Sequence, residues 1–115
     1  MNGLILLPDV LDDVAHAAQW YDEEGGLGLG DRFVACFYAY LPQIERQGEI
    51  HRKVYKDFRR TLLKPFPYAL YYRDHLGHAV VSLVIHTARK PSFVRRLLRE
   101  RILKGSVKAS SKAGS

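Results

Sequence analysis

Alternation of apolar and polar positions is clearest between Phe66 and Pro91, which read FPYALYYRDHLGHAVVSLVIHTARKP. Two runs rich in aromatic and β-branched residues, Pro67 to Arg73 and His78 to Ala88, flank the short turn Asp74-His75-Leu76-Gly77. That pattern predicts a β-hairpin. Upstream, from Val54 to Leu63, a period of two puts Phe58, Arg60 and Leu62 on one side of a strand, and Arg59, Thr61 and Leu63 on the other. Lys64-Pro65 ends it.

The N-terminal half follows the helical period instead. After a short strand at Leu4 to Leu7, Asp9 is placed to cap a helix, with Asp12 three positions on as a weaker capping-box partner. Leu11, Val14, Ala15, Ala18 and Tyr21 form its predicted apolar stripe, the acids fall off it towards solvent, and Gly25-Gly26 stops it. A second helix is predicted from about Asp31 to Gly48, with Phe33, Phe37, Tyr40, Leu41 and Ile44 inward. Pro42 should kink or break it. The intervening GGLGLG has no preceding strand and no Gly-Lys-Ser/Thr, so it reads as an inter-helix turn and not a phosphate loop. Ser92 is placed to cap a last helix, with Phe93 or Val94, Leu97, Leu98 and Ile102 apolar and Arg95, Arg96, Arg99 and Arg101 on its remaining surface. The expected architecture is α+β: two N-terminal helices packed on a small, mostly antiparallel curved sheet in the order β-α-α-β-β-β, followed by a C-terminal helix. Residues 1–104 read as one domain, and 105–115, GSVKASSKAGS, as a flexible polar tail.

Charge sharpens this picture. The net +6 comes from 18 Lys and Arg against 12 Asp and Glu, and it is unevenly spread. Seven acids and no Lys or Arg precede Arg32, whereas nine basic residues and one acid, Glu100, follow from Arg89 onward. The basic end is suited to phosphate or to an acidic partner chain. A lone Cys36 on an apolar helical pattern excludes an internal disulfide and fits a reducing cytoplasm. Leu4 to Leu7 stops at Pro8 and lacks a basic flank, which excludes a signal peptide; no other apolar run approaches the roughly 20 residues a membrane span needs. A soluble, cytoplasmic protein is expected. His75, His78 and Cys36 lack the further ligand that would complete a tetrahedral set, so neither a metal nor any other cofactor is expected.

Several pieces then occur in an informative order: Pro8 with Asp12-Asp13, Trp20-Tyr21, the run GLGDRF from Gly28 to Phe33, Arg59-Arg60, Phe66-Pro67-Tyr68 with Tyr72, and His86, Arg89 and Pro91. Together, from about Leu7 to Pro91, they resemble the RelE/ParE superfamily of toxins from bacterial type II toxin–antitoxin modules. The resemblance implies a small basic toxin that arrests growth and stabilises plasmids, and that is held inactive by a cognate acidic antitoxin folding over it. One branch cleaves messenger RNA on the ribosome without a metal; the other binds DNA gyrase and needs no catalytic residues. Without its antitoxin, exposed apolar surface could drive homodimers.

Carried onto this chain, the ribonuclease pattern is incomplete. Arg60 and Arg89 fall where that branch has basic side chains, but Leu62 replaces a Lys, Ala69 an Arg, and Arg95 a Tyr. Only His86 could supply the missing acid or base. Each lost charge-stabilising donor costs about a hundredfold or more in rate, so a non-catalytic, gyrase-type function is favoured over RNA cleavage. If the chain is a ribonuclease, Arg60, His86 and Arg89 are its candidate catalytic residues. Trp20, Tyr72, Phe93, Arg95, Leu97 and Arg99 are the candidates for antitoxin or target binding. Bland roles compete: Trp20 as core packing, His86 as a strand-end hydrogen bonder, and Arg60 as a half-buried guanidinium paired with an acid of the first helix. A small RNA-binding module using the basic C-terminal helix is the remaining alternative.

Overall fold

Strand β1 (Leu4–Leu6) leads into α1 (Pro8–Gly25), and α2 (Leu29–Gln47) returns antiparallel to it. A 3-10 turn (Gly48–Ile50) follows, then β2 (Lys53–Tyr55), β3 (Phe58–Leu62), β4 (Tyr68–His75), β5 (His78–His86) and α3 (Pro91–Gly114). This computed structural model describes residues 2–114, with side chains from 2 to 103. The sheet order is β1-β5-β4-β3-β2, with β1 parallel to β5 and every other pairing antiparallel. The architecture is α+β, with an open mixed sheet.

Two apolar clusters lie on opposite faces of that sheet. Val10, Val14, Ala17 and Tyr21 of α1, with Phe33, Phe37, Leu41 and Ile44 of α2, pack against Leu70, Tyr72, Val80 and Val84. On the other face Val94 and Leu98 of α3 cover Phe58, Ala69, Tyr71, Leu83 and Ile85. Alternate residues of a strand point to opposite faces, and β5 along almost its whole length, with β4 from residue 69 to 72, is buried because helices cover both faces.

The helix pair is set by its glycines. Gly26 and Gly28 adopt left-handed φ of 109° and 91° in the turn. Gly30 lies where the helices touch: a Cβ there would run into the Ala18 carbonyl oxygen and the Asp22 carboxylate. The Gly30 N–H instead donates to Asp22 Oδ1 at 2.8 Å. Phe33 then enters an aromatic cluster, with centroids 5.1 Å from Phe66 and 4.9 Å from Tyr68, and Tyr21 is 5.0 Å from Phe66. The GLGDRF run and the Phe-Pro-Tyr segment are thus one packing unit.

Several expectations are corrected. The Val54–Leu63 alternation is two strands, because Lys56, at φ 50°, reverses the chain and pairs Tyr55 with Phe58. α1 starts at Pro8, whose missing N–H suits a first helical position, and Leu7, not Asp9, precedes it without a side-chain cap. Its stripe is shifted by a residue to Val10, Val14, Ala17 and Tyr21, leaving Leu11 46% exposed. α2 continues through Pro42, and α3 begins at Pro91 with the Val94 N–H donating to Lys90 C=O, so Ser92 is inside it. The hairpin loop is Leu76-Gly77, both at positive φ, closed by the pair His75 and His78. The backbone of α3 is helical to Gly114; the side chains of the 105–115 segment expected to form a tail lie outside those described.

Candidate functional site

Strand β5 ends at His86, where the chain turns tightly back. Ala88 N–H donates to His86 Nδ1 at 3.0 Å, and Arg89 N–H donates to His86 C=O at 3.2 Å. The turn fixes the imidazole, which also meets the Tyr68 ring edge-on at 5.2 Å. Burial pushes the Tyr68 phenol above its ordinary pKa, so it remains a neutral donor. His86 therefore occupies the strand-end role named above. With Nδ1 accepting a backbone N–H, the neutral ring carries its proton on Nε2.

Two concavities meet at His86 and Arg89. The first, about 190 Å³, opens between the β3–β5 face and α3 and is lined by Arg60, His86, Arg89 and Arg95, with Tyr55 and Tyr71. The second, about 320 Å³, runs between α1 and α3 along the edge of β5, and is lined by His16, Trp20, Val84, His86, Arg89, Phe93 and Leu97. The chain thus brings Arg60, His86, Arg89 and Arg95 together, and separately Trp20, Phe93 and Leu97 beside His86 and Arg89.

Arginine stacking organises both walls. Arg89 stands 4.0 Å and Arg96 5.0 Å from the Phe93 ring centroid. Arg95 stands 5.8 Å and Lys56 Nζ 5.6 Å from the Tyr55 ring, whose hydroxyl accepts a bond from Arg99 Nη1 at 3.1 Å. Stacked guanidinium groups keep their N–H edges free for carboxylate or phosphate. Arg99 lines neither concavity and serves through Tyr55.

The remaining candidates move. Trp20 is not core: it is 54% exposed, touching Tyr21 edge-on at 5.2 Å. Tyr72 is fully buried, its hydroxyl donating to Gly48 C=O at 2.6 Å, so it cannot touch a partner. Arg60 is exposed at the first concavity, not half-buried against α1. Its neighbour Arg59 is half-buried and clamps the 3-10 turn through the carbonyls of Glu49 and His51. The guanidinium that meets α1 is Arg101. It bonds both carboxylate oxygens of Asp13, approaches Asp9 and donates to Ser82 C=O at 2.9 Å. Burial draws the Arg101 pKa down, but the bonds and charge of Asp13, with Asp9, outweigh it and hold it above its ordinary value. Asp9 and Asp13 are one helical turn apart, so their shared face was legible; their reach to a residue 88 positions later was not.

No protein-family model matches the chain, and no curated protein matches it. A solved structure does. A chain of the chromosomal ParDE TA system from P. aeruginosa aligns with a TM-score of 0.68 at 11% identity, over 75% of this chain and 96% of that one. The two chains share a fold. Within this scaffold the cation-lined concavity is built from β2–β5 and α3, and the Trp20 groove from α1, β4, β5 and α3. Cys36 lies on α2, its thiol donating to the carbonyls of Leu63 and Lys64. No helix among the described residues is long and apolar enough to cross a membrane.

Proposed function

We propose that this chain is the toxin of a type II toxin–antitoxin module, neutralised by a cognate acidic antitoxin and acting on an essential target, of the DNA gyrase kind, by binding it. The observation that carries this reading is the likeness to the ParDE chain across 96% of that chain's length. A cytoplasmic location follows from that role.

The engagement of His86 Nδ1 and the burial of Ala69 favour binding over RNA cleavage. His86 Nδ1 is engaged by Ala88 N–H in the turn that follows β5. Ala69, where the ribonuclease pattern would have an Arg, is 1% exposed and packed with Val94 and Leu98 of α3. A longer side chain there would crowd Val94 and Leu98. One observation supports the enzymatic alternative: Arg60, His86, Arg89 and Arg95 do share a concavity able to hold a phosphate.

Expression of the chain alone should arrest growth, and co-expression of a short acidic protein from the adjoining reading frame should relieve the arrest. Purified protein should inhibit gyrase supercoiling or trap cleaved DNA, with His86→Ala still toxic. Folded protein that accumulates without slowing growth overturns the toxin reading. Transcripts cut on translating ribosomes, with cutting lost in His86→Ala or Arg89→Ala, overturn the non-catalytic one.

A further inference from the structure

The concavity at the end of β5 carries charge of one sign. Arg60, Arg89 and Arg95 line it with His86, and no Asp or Glu does. None of the three guanidinium groups has an ion-pair partner among the described residues. Arg89 is stacked on Phe93 and Arg95 stands beside Tyr55, which leaves their N–H edges free. Three like charges around a hollow of about 190 Å³ repel one another, and an anion placed among them is favoured.

Thr87 lines the same hollow. Its placement follows from the strand. Ile85 packs with Val94 and Leu98 of α3, and Thr87, two residues on, is still in the ladder, its N–H donating to Pro67 C=O at 2.9 Å. Alternation therefore puts the Thr87 side chain on the α3 face too. Arg60 reaches that face from β3, where it is paired with Tyr71. The bonds of Ala88 N–H to His86 Nδ1 and of Arg89 N–H to His86 C=O hold the turn, so Thr87 is presented from a fixed position.

The chain offers few alternative acceptors. Among the described residues the aliphatic hydroxyls belong to Thr61, Ser82, Thr87 and Ser92. Thr61 and Ser82 are buried, and the Ser82 hydroxyl is spent on Val80 C=O. Ser92 is exposed but lines neither concavity. Thr87 is exposed, and its hydroxyl makes no hydrogen bond to another described residue. The fold makes no demand on it.

We propose that Thr87 is a phosphorylation site, and that the phosphate attached there is captured by Arg60, Arg89 and Arg95, filling the hollow from within the chain. The donor is a nucleoside triphosphate brought by a phosphotransferase of the cell. Thr87 Oγ1 forms a bond to the γ-phosphorus, the bond from that phosphorus to its bridging oxygen breaks, a nucleoside diphosphate leaves, and the hydroxyl proton passes to solvent. The product carries a charge of about −1.5 to −2 at pH 7 and three acceptor oxygens, enough for about one to three charge-assisted bonds to the guanidinium edges. Such a chain loses the cationic surface that the toxin reading assigns to target binding. The proposal rests on that reading for its consequence and not for the capture.

Two measurements on the folded full chain test it. Incubated with a lysate of the source cells and γ-labelled ATP, the parent should take label at Thr87, and Thr87→Val, which keeps the branched shape, should not. An unlabelled parent, or label undiminished in Thr87→Val, overturns the proposal. The chain synthesised with Thr87 already phosphorylated is then titrated by phosphorus NMR. The second pKa of the phosphate should fall from about 6 by about one unit, a tenfold change, because the guanidinium groups favour the dianion. Arg60→Gln, Arg89→Gln and Arg95→Gln should each recover part of that shift. A phosphate that titrates near 6, or a shift indifferent to all three variants, overturns the capture. The phosphorylated chain should also inhibit gyrase supercoiling about tenfold less well than the parent, or weaker still. A captured phosphate on a chain that proves non-toxic when unmodified sinks the functional reading alone. A toxic chain whose phosphate stays uncaptured sinks this proposal alone.

Discussion

Replacing Arg101 by Met should loosen α3 from the rest of the molecule, and the size of the loss can be worked from its surroundings. The guanidinium bonds both oxygens of Asp13, with side-chain exposures of 11% and 16%. Both partners also hold β5 backbone, Arg101 at Ser82 C=O and Asp13 at Val84 N–H. Met keeps the aliphatic bulk but leaves Asp13 beside Asp9 with one backbone donor. Breaking a buried pair in this way costs about 3–5 kcal/mol, an exposed one about 0–1. With some solvent reaching both groups, about 2–4 kcal/mol is expected, a large part of a typical 5–15 kcal/mol total. Urea unfolding followed by circular dichroism and by Trp20 fluorescence measures it. Asp13→Asn and the double variant complete a cycle whose coupling should be about 1–3 kcal/mol. A single-variant loss below about 0.5 kcal/mol, or a coupling near zero, would mean that Val94 and Leu98 hold α3 unaided and that this is an ordinary surface pair.

Other consequences are simpler to read. Gly30→Ala should destabilise by about 1–3 kcal/mol in thermal unfolding, because the new methyl meets the Ala18 carbonyl; the gain of up to about 1 kcal/mol usual for Gly→Ala in a helix would contradict the close approach. Burial raises the Tyr72 phenol from 10.0 to about 12, with Glu49 adding to the rise and Arg59 opposing it. The unfolded chain therefore loses this proton first. The tyrosine's stabilisation is complete below pH 10 and falls by about 1.4 kcal/mol per unit towards pH 12, whereas Tyr72→Phe should lose about 1 kcal/mol at neutral pH and show a flatter alkaline limb. Burial also raises the Cys36 thiol, so its alkylation by iodoacetamide near pH 8 should be slower than that of a free thiol and climb steeply with pH; fast labelling at pH 7 would refute the burial.

Periodicity gave access to most of this fold where one rule acted alone. The α2 stripe of Phe33, Phe37, Leu41 and Ile44 is inward as its spacing demands, and β4 and β5 pair as their β-branched runs imply. Errors arose where two rules met. In α1 Leu11 and Val10 are both apolar, and only the docking of Val14 and Tyr21 on the sheet decides which turns outward. In Val54–Leu63 an unbroken alternation hid a reversal that no Gly or Pro marks, because Lys56 takes the positive φ itself. The cationic gathering of Arg60, His86, Arg89 and Arg95 was legible from strand ends and the helix start. Trp20's exposure was not, since its environment comes from α3 packing across the sheet edge.

The residues that signalled a resemblance and those that would choose a target are different sets, for a physical reason. Gly28, Gly30, Phe33, Phe66, Tyr68 and Tyr72 answer to a left-handed turn, a helix crossing, an aromatic cluster and a buried hydroxyl, all demands of this scaffold. Positions 60, 89 and 95 are exposed at a concavity, where a change of side chain costs the fold little. On the proposed toxin reading, a change of target is sought at this concavity. Exchanging Arg60, Arg89 and Arg95 for Gln should leave the unfolding midpoint within about 1 kcal/mol of the parent while abolishing growth arrest. A triple variant that remains toxic would move target recognition away from this concavity, and one that unfolds would show that the stacks on Phe93 and Tyr55 belong to the scaffold after all.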